Sequence, residues 1–208
     1  MIKSEIKLLP DLQKIVEQLS IENISEERKE ILQVLIDYIQ EKVHLKQEVN
    51  LNFICTHNSR RSQFSQIWAQ TAADNYKIAA NCFSGGVEVT AFNERAVASI
   101  KRMGFKVTSE GEGNPIYTLL NSNDSNPISA FSKLYDDPIN PIKGFSAVMT
   151  CSHADENCPF IPGTEQRIPV RYEDPKAFDD TDLESNKYDE RSLQIATEMF
   201  YVFSKIKK

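Results

Sequence analysis

Apolar residues recur at helical spacing in two stretches near the start of the chain. Leu12, Ile15, Val16 and Leu19 share one face, and Ile31, Leu32, Leu35, Ile36 and Ile39 share another. Ser25 stands where a helix needs an N-cap, and Glu26 and Glu27 follow in the first turn, where the helix dipole favours acids. Residues 1–46 therefore read as a helical hairpin that packs on the remainder. The texture changes at 49–54, a short apolar run of strand length, with Cys55 at its end. Phe64, Ile67, Trp68 and Thr71 then predict a helix over 62–75. Residues 76–83 read as a second strand, followed by Ser84-Gly85-Gly86, and 93–103 as a helix ended by Gly104. A short strand is expected at 105–108, and two hairpin arms at 115–120 and 128–135 around the turn-rich 121–126. A buried strand at 145–150 is closed by Cys151, a last strand is expected at 167–171, and 186–205 forms a closing helix. In that helix Leu193, Ile195, Ala196, Met199, Phe200 and Phe203 point inward.

Strands that alternate with helices predict βαβ units in an open, parallel α/β sheet. In such sheets sites form outside the carboxyl ends of the strands. Cys55 and Cys151 both end a predicted strand, so the topology puts two sulfurs on one edge of the sheet.

Composition narrows the function classes. The chain has 208 residues, 26% of them charged and 40% hydrophobic, which is ordinary for a soluble globular protein. Lys plus Arg is 24 and Asp plus Glu is 30, a net charge of −6, which argues against general nucleic-acid binding but leaves room for a small anionic substrate. No apolar run approaches the ~20 residues of a membrane span. Residues 1–10 carry no continuous apolar stretch, so no secretory signal is expected and the setting is read as cytoplasmic. There, Cys55, Cys82, Cys151 and Cys158 suit catalysis, redox chemistry or metal binding better than a disulfide scaffold. Cys82 reads as a small buried hydrophobe, and His44 as a surface residue.

Cys55-Thr56-His57-Asn58-Ser59-Arg60-Arg61-Ser62 has the form Cys-x5-Arg-Ser between a strand and a helix. A loop entering a helix points successive amides inward and adds the positive end of the helix dipole, which makes a nest for a tetrahedral oxyanion. Arg61 can clamp two oxygens of such a group. The same field favours the thiolate of Cys55. Ser62 can donate to that sulfur, and Asn58 can hold the loop shape through its side chain.

The run from Phe53 to Gln63 resembles the anion loop of the low-molecular-weight protein tyrosine phosphatase superfamily, which includes the thioredoxin-coupled arsenate reductases. Ser84-Gly85-Gly86-Val87-Glu88, the run from Asn93 to Ile100, and Glu173-Asp174-Pro175 are similar to further segments of that superfamily. The resemblance covers 51–208 and implies a flavodoxin-like sheet of about four strands with flanking helices over 47–208, leaving 1–46 as a helical extension. Cys151 and Cys158, six residues apart with Asn157-Cys158-Pro159 at the end, resemble the redox segment of the arsenate reductase branch. The chemistry so implied is a relay: Cys55 attacks arsenate, Asp174 acts as general acid, Cys151 attacks Cys55, and Cys158 attacks Cys151. Thioredoxin then serves as external reductant, and no bound cofactor is expected.

Three other readings stay open. Cys55, Arg61 and Asp174 alone could serve a phosphotyrosine or small phosphomonoester phosphatase. Cys55, His57, Cys151, His153 and Cys158 could supply zinc ligands, although a metal on Cys55 would block the loop. The loop could also serve a non-catalytic oxyanion sensor. The sequence departs from the family at His57, where the loop usually has Gly and where a left-handed backbone would be strained, and at Arg60, which adds positive charge. Some reductases of the branch bind potassium; Asn58 and Ser84 match two of those ligands, but Gln66 replaces an acid, so no strong potassium dependence is expected. The segment 111–140 is longer than the family pattern and is expected to decorate an edge.

Overall fold

The computed structural model describes residues 7–157 and 160–208. The first two helices are α1 (Pro10–Glu17) and α2 (Glu26–His44). Ser25 caps α2 as expected, its hydroxyl oxygen accepting from the Arg28 amide at 3.3 Å. There follow β1 (Val49–Cys55), α3 (Arg61–Tyr76), β2 (Ala80–Gly86), α4 (Glu94–Arg102), β3 (Lys106–Glu110), β4 (Ile116–Leu120), β5 (Ile128–Ala130), β6 (Phe145–Met149), α5 (Ser152–Asn157), β7 (Thr164–Pro169) and α6 (Glu184–Ser204).

The main sheet has the order β2-β1-β6-β7, and every pairing in it is parallel. This is the flavodoxin-like open sheet of four strands with flanking helices that the sequence predicts. All of β1 is buried, because it runs through the middle of the sheet. Its side chains alternate as a strand must. Val49, Leu51 and Phe53 enter the larger core with α3 and α6, whereas Ile54 faces a smaller cluster with Phe145, Met149, Cys151 and Ile161. Asn50 and Asn52 do not break the strand, because their amides donate to the carbonyls of Gly144 (3.3 Å) and Tyr135 (2.9 Å).

Helix α3 is buried nearly all round, and Trp68 anchors it to α6 through an indole N–H to Ser192 Oγ bond of 2.9 Å. Helix α4 begins at an Asn93 cap and ends at Gly104, whose φ is +93°. A Cβ there would lie 2.5 Å from the Leu12 amide, so glycine lets α1 approach. The N-terminal helices share the main core rather than capping it from outside: Leu12, Leu32, Leu35 and Ile39 are all fully buried. Arg28 on α2 forms a two-pronged ion pair with the buried Glu198 of α6 (2.9 and 2.7 Å), and Tyr172 donates its hydroxyl to the same carboxylate at 2.8 Å.

Three boundaries differ from expectation. Tyr76 ends α3, and the left-handed Lys77 (φ +57°) turns the chain, so β2 starts later and runs on through Gly86. Strand β7 overlaps the expected 167–171 but starts earlier, at Thr164, and stops at Pro169. The two hairpin arms are present as β4 and β5, which join β3 in a separate antiparallel sheet, but β5 ends at Ala130. The next residues leave the hairpin to pair beside Gly86, through a bridge at Leu134. Among the described residues no helix is long and apolar enough to cross a membrane.

Breaking a buried ion pair on one side leaves an uncompensated charge and costs about 3 kcal/mol or more, whereas replacing both partners is often neutral. Arg28→Met is therefore expected to lower the unfolding free energy in urea by about 3 kcal/mol, and the double variant Arg28→Met/Glu198→Leu to recover most of that loss.

Candidate active site

The loop after β1 folds around the Cys55 sulfur, which is 4% exposed at the residue level. The Asn58 amide donates to Cys55 Sγ at 3.2 Å. Ser62 Oγ lies 3.0 Å from the same sulfur and accepts from Asn58 Nδ2 at 2.9 Å. With the Asn58 side-chain amide donating to its oxygen, the Ser62 hydroxyl keeps its own proton to offer to the sulfur. Asn58 is the hub of the loop: its Oδ1 accepts from the Lys133 amide (3.0 Å) and its carbonyl from Gln63 Nε2 (2.9 Å). Its φ is +45°, so the left-handed residue of the loop is Asn58, a type that tolerates it. His57 has no positive φ, and the strain expected there does not arise. Its ring instead pairs with Glu88 at 3.3 Å on the rim. Gly86 closes the floor, since a Cβ there would sit 2.8 Å from the Asn58 amide.

The start of α3 carries no side-chain cap, and the amides of Ser59, Arg60 and Arg61 find no acceptor among the described residues. Arg61 donates to the Tyr172 carbonyl at 3.0 Å and pairs with Asp174 at 2.8 Å, while its buried Nε has no partner. Arg60 holds the other oxygen of Asp174 at 2.8 Å. Burial alone would raise the Asp174 carboxyl, but the charge of Arg61 and the hydrogen bond and charge of Arg60 outweigh it and hold it below the usual carboxylate value.

Cys151 follows β6, the strand next to β1, and is 1% exposed. The Thr150 amide bonds the Ile54 carbonyl at 2.8 Å, which carries the parallel register one step past the end of β6. Thr56 Oγ1 then lies 3.6 Å from Cys151 Sγ and 3.2 Å from His153 Nδ1. The Ala154 amide donates to the Cys151 sulfur at 3.4 Å. Cys55 and Cys151 are both free thiols. Cys158, expected as the third sulfur, lies outside the described residues.

The structure thus brings together Cys55, Thr56, Asn58, Ser59, Arg60, Arg61, Ser62, Cys151 and Asp174, with His57 on the rim. Two helpers escaped sequence reasoning. Ser132 Oγ donates to the His57 carbonyl at 2.9 Å, and Lys133 bonds Asn58 as above. The segment 111–140 is therefore not an edge decoration: it braces the loop from behind and walls a cleft of about 620 Å³ between His57, Arg60, Phe92 and Tyr117. A larger cavity of about 800 Å³ lies along the outer edge of β2 and contains none of the loop residues 55–62. Two of the residues considered for potassium bond each other, Ser84 Oγ donating to Gln66 Oε1 at 2.6 Å, and Gln66 Nε2 donates to the Ser129 carbonyl at 3.0 Å. Among the described residues no three His, Cys, Asp or Glu side chains are grouped to hold a metal ion.

This fold is similar to a low molecular weight phosphotyrosine phosphatase from Vibrio cholerae O395, with a TM-score of 0.51 and 12% identity over 75% of this chain and 95% of that one. It is also similar to a low molecular weight protein tyrosine phosphatase from T. tengcongensis, with a TM-score of 0.50 and 14% identity over 76% and 99% of the two chains. At such identities the likeness defines the fold alone. No family model matches the chain. In sequence it is 32% identical over 125 residues to an arsenate reductase of Staphylococcus aureus strain Newman, covering 59% of this chain and 76% of that protein. It is 28% identical over 131 residues to an arsenate reductase of Brevibacillus brevis, covering 63% and 80%. The chain belongs to the arsenate reductase family.

Burial lowers the Lys133 ammonium to about 8, partly opposed by Asp137. A lysine depressed on folding leaves the unfolded state holding more protons between that value and its ordinary ~10.4, so stability gains with pH in that window. The stability of the native protein relative to Lys133→Met is expected to rise from pH 8 to pH 10, measured by urea unfolding at each pH.

Proposed function

We propose that the protein reduces arsenate to arsenite through Cys55, Cys151 and Cys158, with thioredoxin restoring the thiols in the cytoplasm. One observation carries the reading. A buried sulfur that receives two hydrogen bonds inside an oxyanion-sized loop has a second buried thiol just across Thr56, at the end of the adjacent parallel strand. A phosphatase has no use for that second thiol.

The oxyanion enters the nest of free amides and takes Arg61 from Asp174. The unpartnered Nε of Arg61 supplies the second prong of a bidentate grip. Asp174 then keeps Arg60 but loses its other cation, so its proton affinity rises and it can protonate the departing oxygen as water. Cys55 attacks arsenic as the thiolate, which Asn58 and Ser62 stabilise through hydrogen bonds. Cys151 next attacks Cys55: a disulfide forms, the sulfur–arsenic bond breaks, and its electron pair stays on arsenic as As(III). Cys158 moves the disulfide to Cys151–Cys158. Ser152, His153 and Glu156, which lie between these cysteines in the sequence, are exposed, which supports access by a protein reductant to this segment.

Arsenate-dependent NADPH consumption with thioredoxin and its reductase tests the reading. Cys55→Ser, Cys151→Ser and Cys158→Ser are each expected to abolish turnover, and replacing sodium by potassium at constant ionic strength to leave the rate unchanged. Phosphomonoester hydrolysis that survives Cys151→Ser, together with no arsenate turnover by the native chain, would establish the phosphatase instead.

A further inference from the structure

The relay needs Cys151 as a thiolate, yet this sulfur is buried and faces no cation of its own among the described contacts. Its neighbours are the Ala154 amide and the Thr56 hydroxyl. Thr56 is fixed in place, because its carbonyl accepts from the amides of both Val87 and Glu88 at 2.8 Å. On its far side the same hydroxyl meets His153 Nδ1, and His153 is exposed. Three groups therefore form a line from a buried thiol to a solvent-facing imidazole.

We infer that His153, acting through Thr56, is the positioning residue that takes up the Cys151 proton. The inference rests on the reductase reading above and adds a step to it. The Cys151 thiol donates to Thr56 Oγ1 while the Thr56 hydroxyl donates to Nδ1. A concerted shift along both bonds leaves a thiolate, an unchanged hydroxyl and an imidazolium. After the shift the same contacts run in reverse, Nδ1–H donating to Thr56 and Thr56 to the thiolate, so both protonation states are hydrogen-bonded without any heavy atom moving. The thiolate then attacks the Cys55 sulfur, the Cys55–arsenic bond breaks toward arsenic, and the imidazolium returns its proton to water.

The charged groups around this corner leave the task to His153. Asp155, on the same helix, is bound to Arg167 and Arg171. On the loop side His57 is paired with Glu88, and Arg61 with Asp174. Cys55 is the remaining titrating neighbour, and Glu156 is exposed on α5. Imidazole suits the task chemically, since one ring nitrogen can take up a proton while the other releases one.

The test uses a single turnover in a Cys158→Ser background, where the Cys55–Cys151 disulfide accumulates and is counted by mass spectrometry from pH 6 to 9. His153→Gln keeps an acceptor for the Thr56 hydroxyl but cannot hold the proton. An unassisted thiol of pKa ~8.5 is only about 3% ionised at pH 7, so the disulfide rate is expected to fall by up to about 30-fold there and to converge on the unsubstituted rate near pH 9. Added imidazole is expected to restore the rate of His153→Ala. A second arm needs no arsenate: the pH of half-maximal Cys151 alkylation by iodoacetamide is expected to move upward in His153→Gln. An unchanged pH profile, or a loss equal at every pH, overturns the inference. Absence of any disulfide or arsenite with His153 intact defeats the reductase reading instead, and the alkylation arm then decides the relay by itself.

Discussion

The parallel pairing of β1 with β6 is the constraint on which the site depends. Neighbouring strands in a sheet lie about 4.8 Å apart, and parallel strands end on the same side. The register sets Ile54 against Met149, so the chain leaves both strands together, and Thr56 and Cys151 meet one step beyond. No local preference of the loop could bring these two groups to each other. Their approach is a property of the sheet, and the smaller core cluster that includes Ile54, Phe145 and Met149 keeps it in place.

Within that frame one residue organises the loop. Asn58 bonds the Cys55 sulfur, the Ser62 hydroxyl beside it, a glutamine of α3 and the backbone of the 130s, and it does so from a left-handed conformation. Asparagine adopts that backbone more readily than most side chains and carries both a donor and an acceptor. The loop shape is thus over-determined, as a site that must receive charge without reorganising requires.

Much of this was legible in the amino-acid sequence because it is local. The strand–loop–helix around Cys55, the cap at Ser25 and the hairpin at β4 and β5 each follow from residues close together in the chain. What was not legible depends on long-range contact. Ser132 and Lys133 carry no local signal of their own, and only the course of the chain after Ala130 brings them behind the loop. The late start of β2 was hidden because Tyr76 and Ile78 have strand propensity while packing ends α3. Arg60 reads as added charge until the fold sets it on Asp174. The N-terminal helices lie outside the family resemblance, yet Arg28 reaches Glu198 and the Tyr172 hydroxyl, and the Tyr172 carbonyl holds Arg61. The extension is joined to the anion loop through three side chains.

The two arginines on Asp174 have one more consequence. The resting loop carries its own counter-ion, so an incoming guest competes with a tethered carboxylate of high local concentration. Chloride and other singly charged solutes of the cell offer Arg61 less than that tether does, whereas a doubly charged tetrahedral species offers more. In the proposed reaction Asp174 thereby sets an admission threshold by valence before any sulfur chemistry begins.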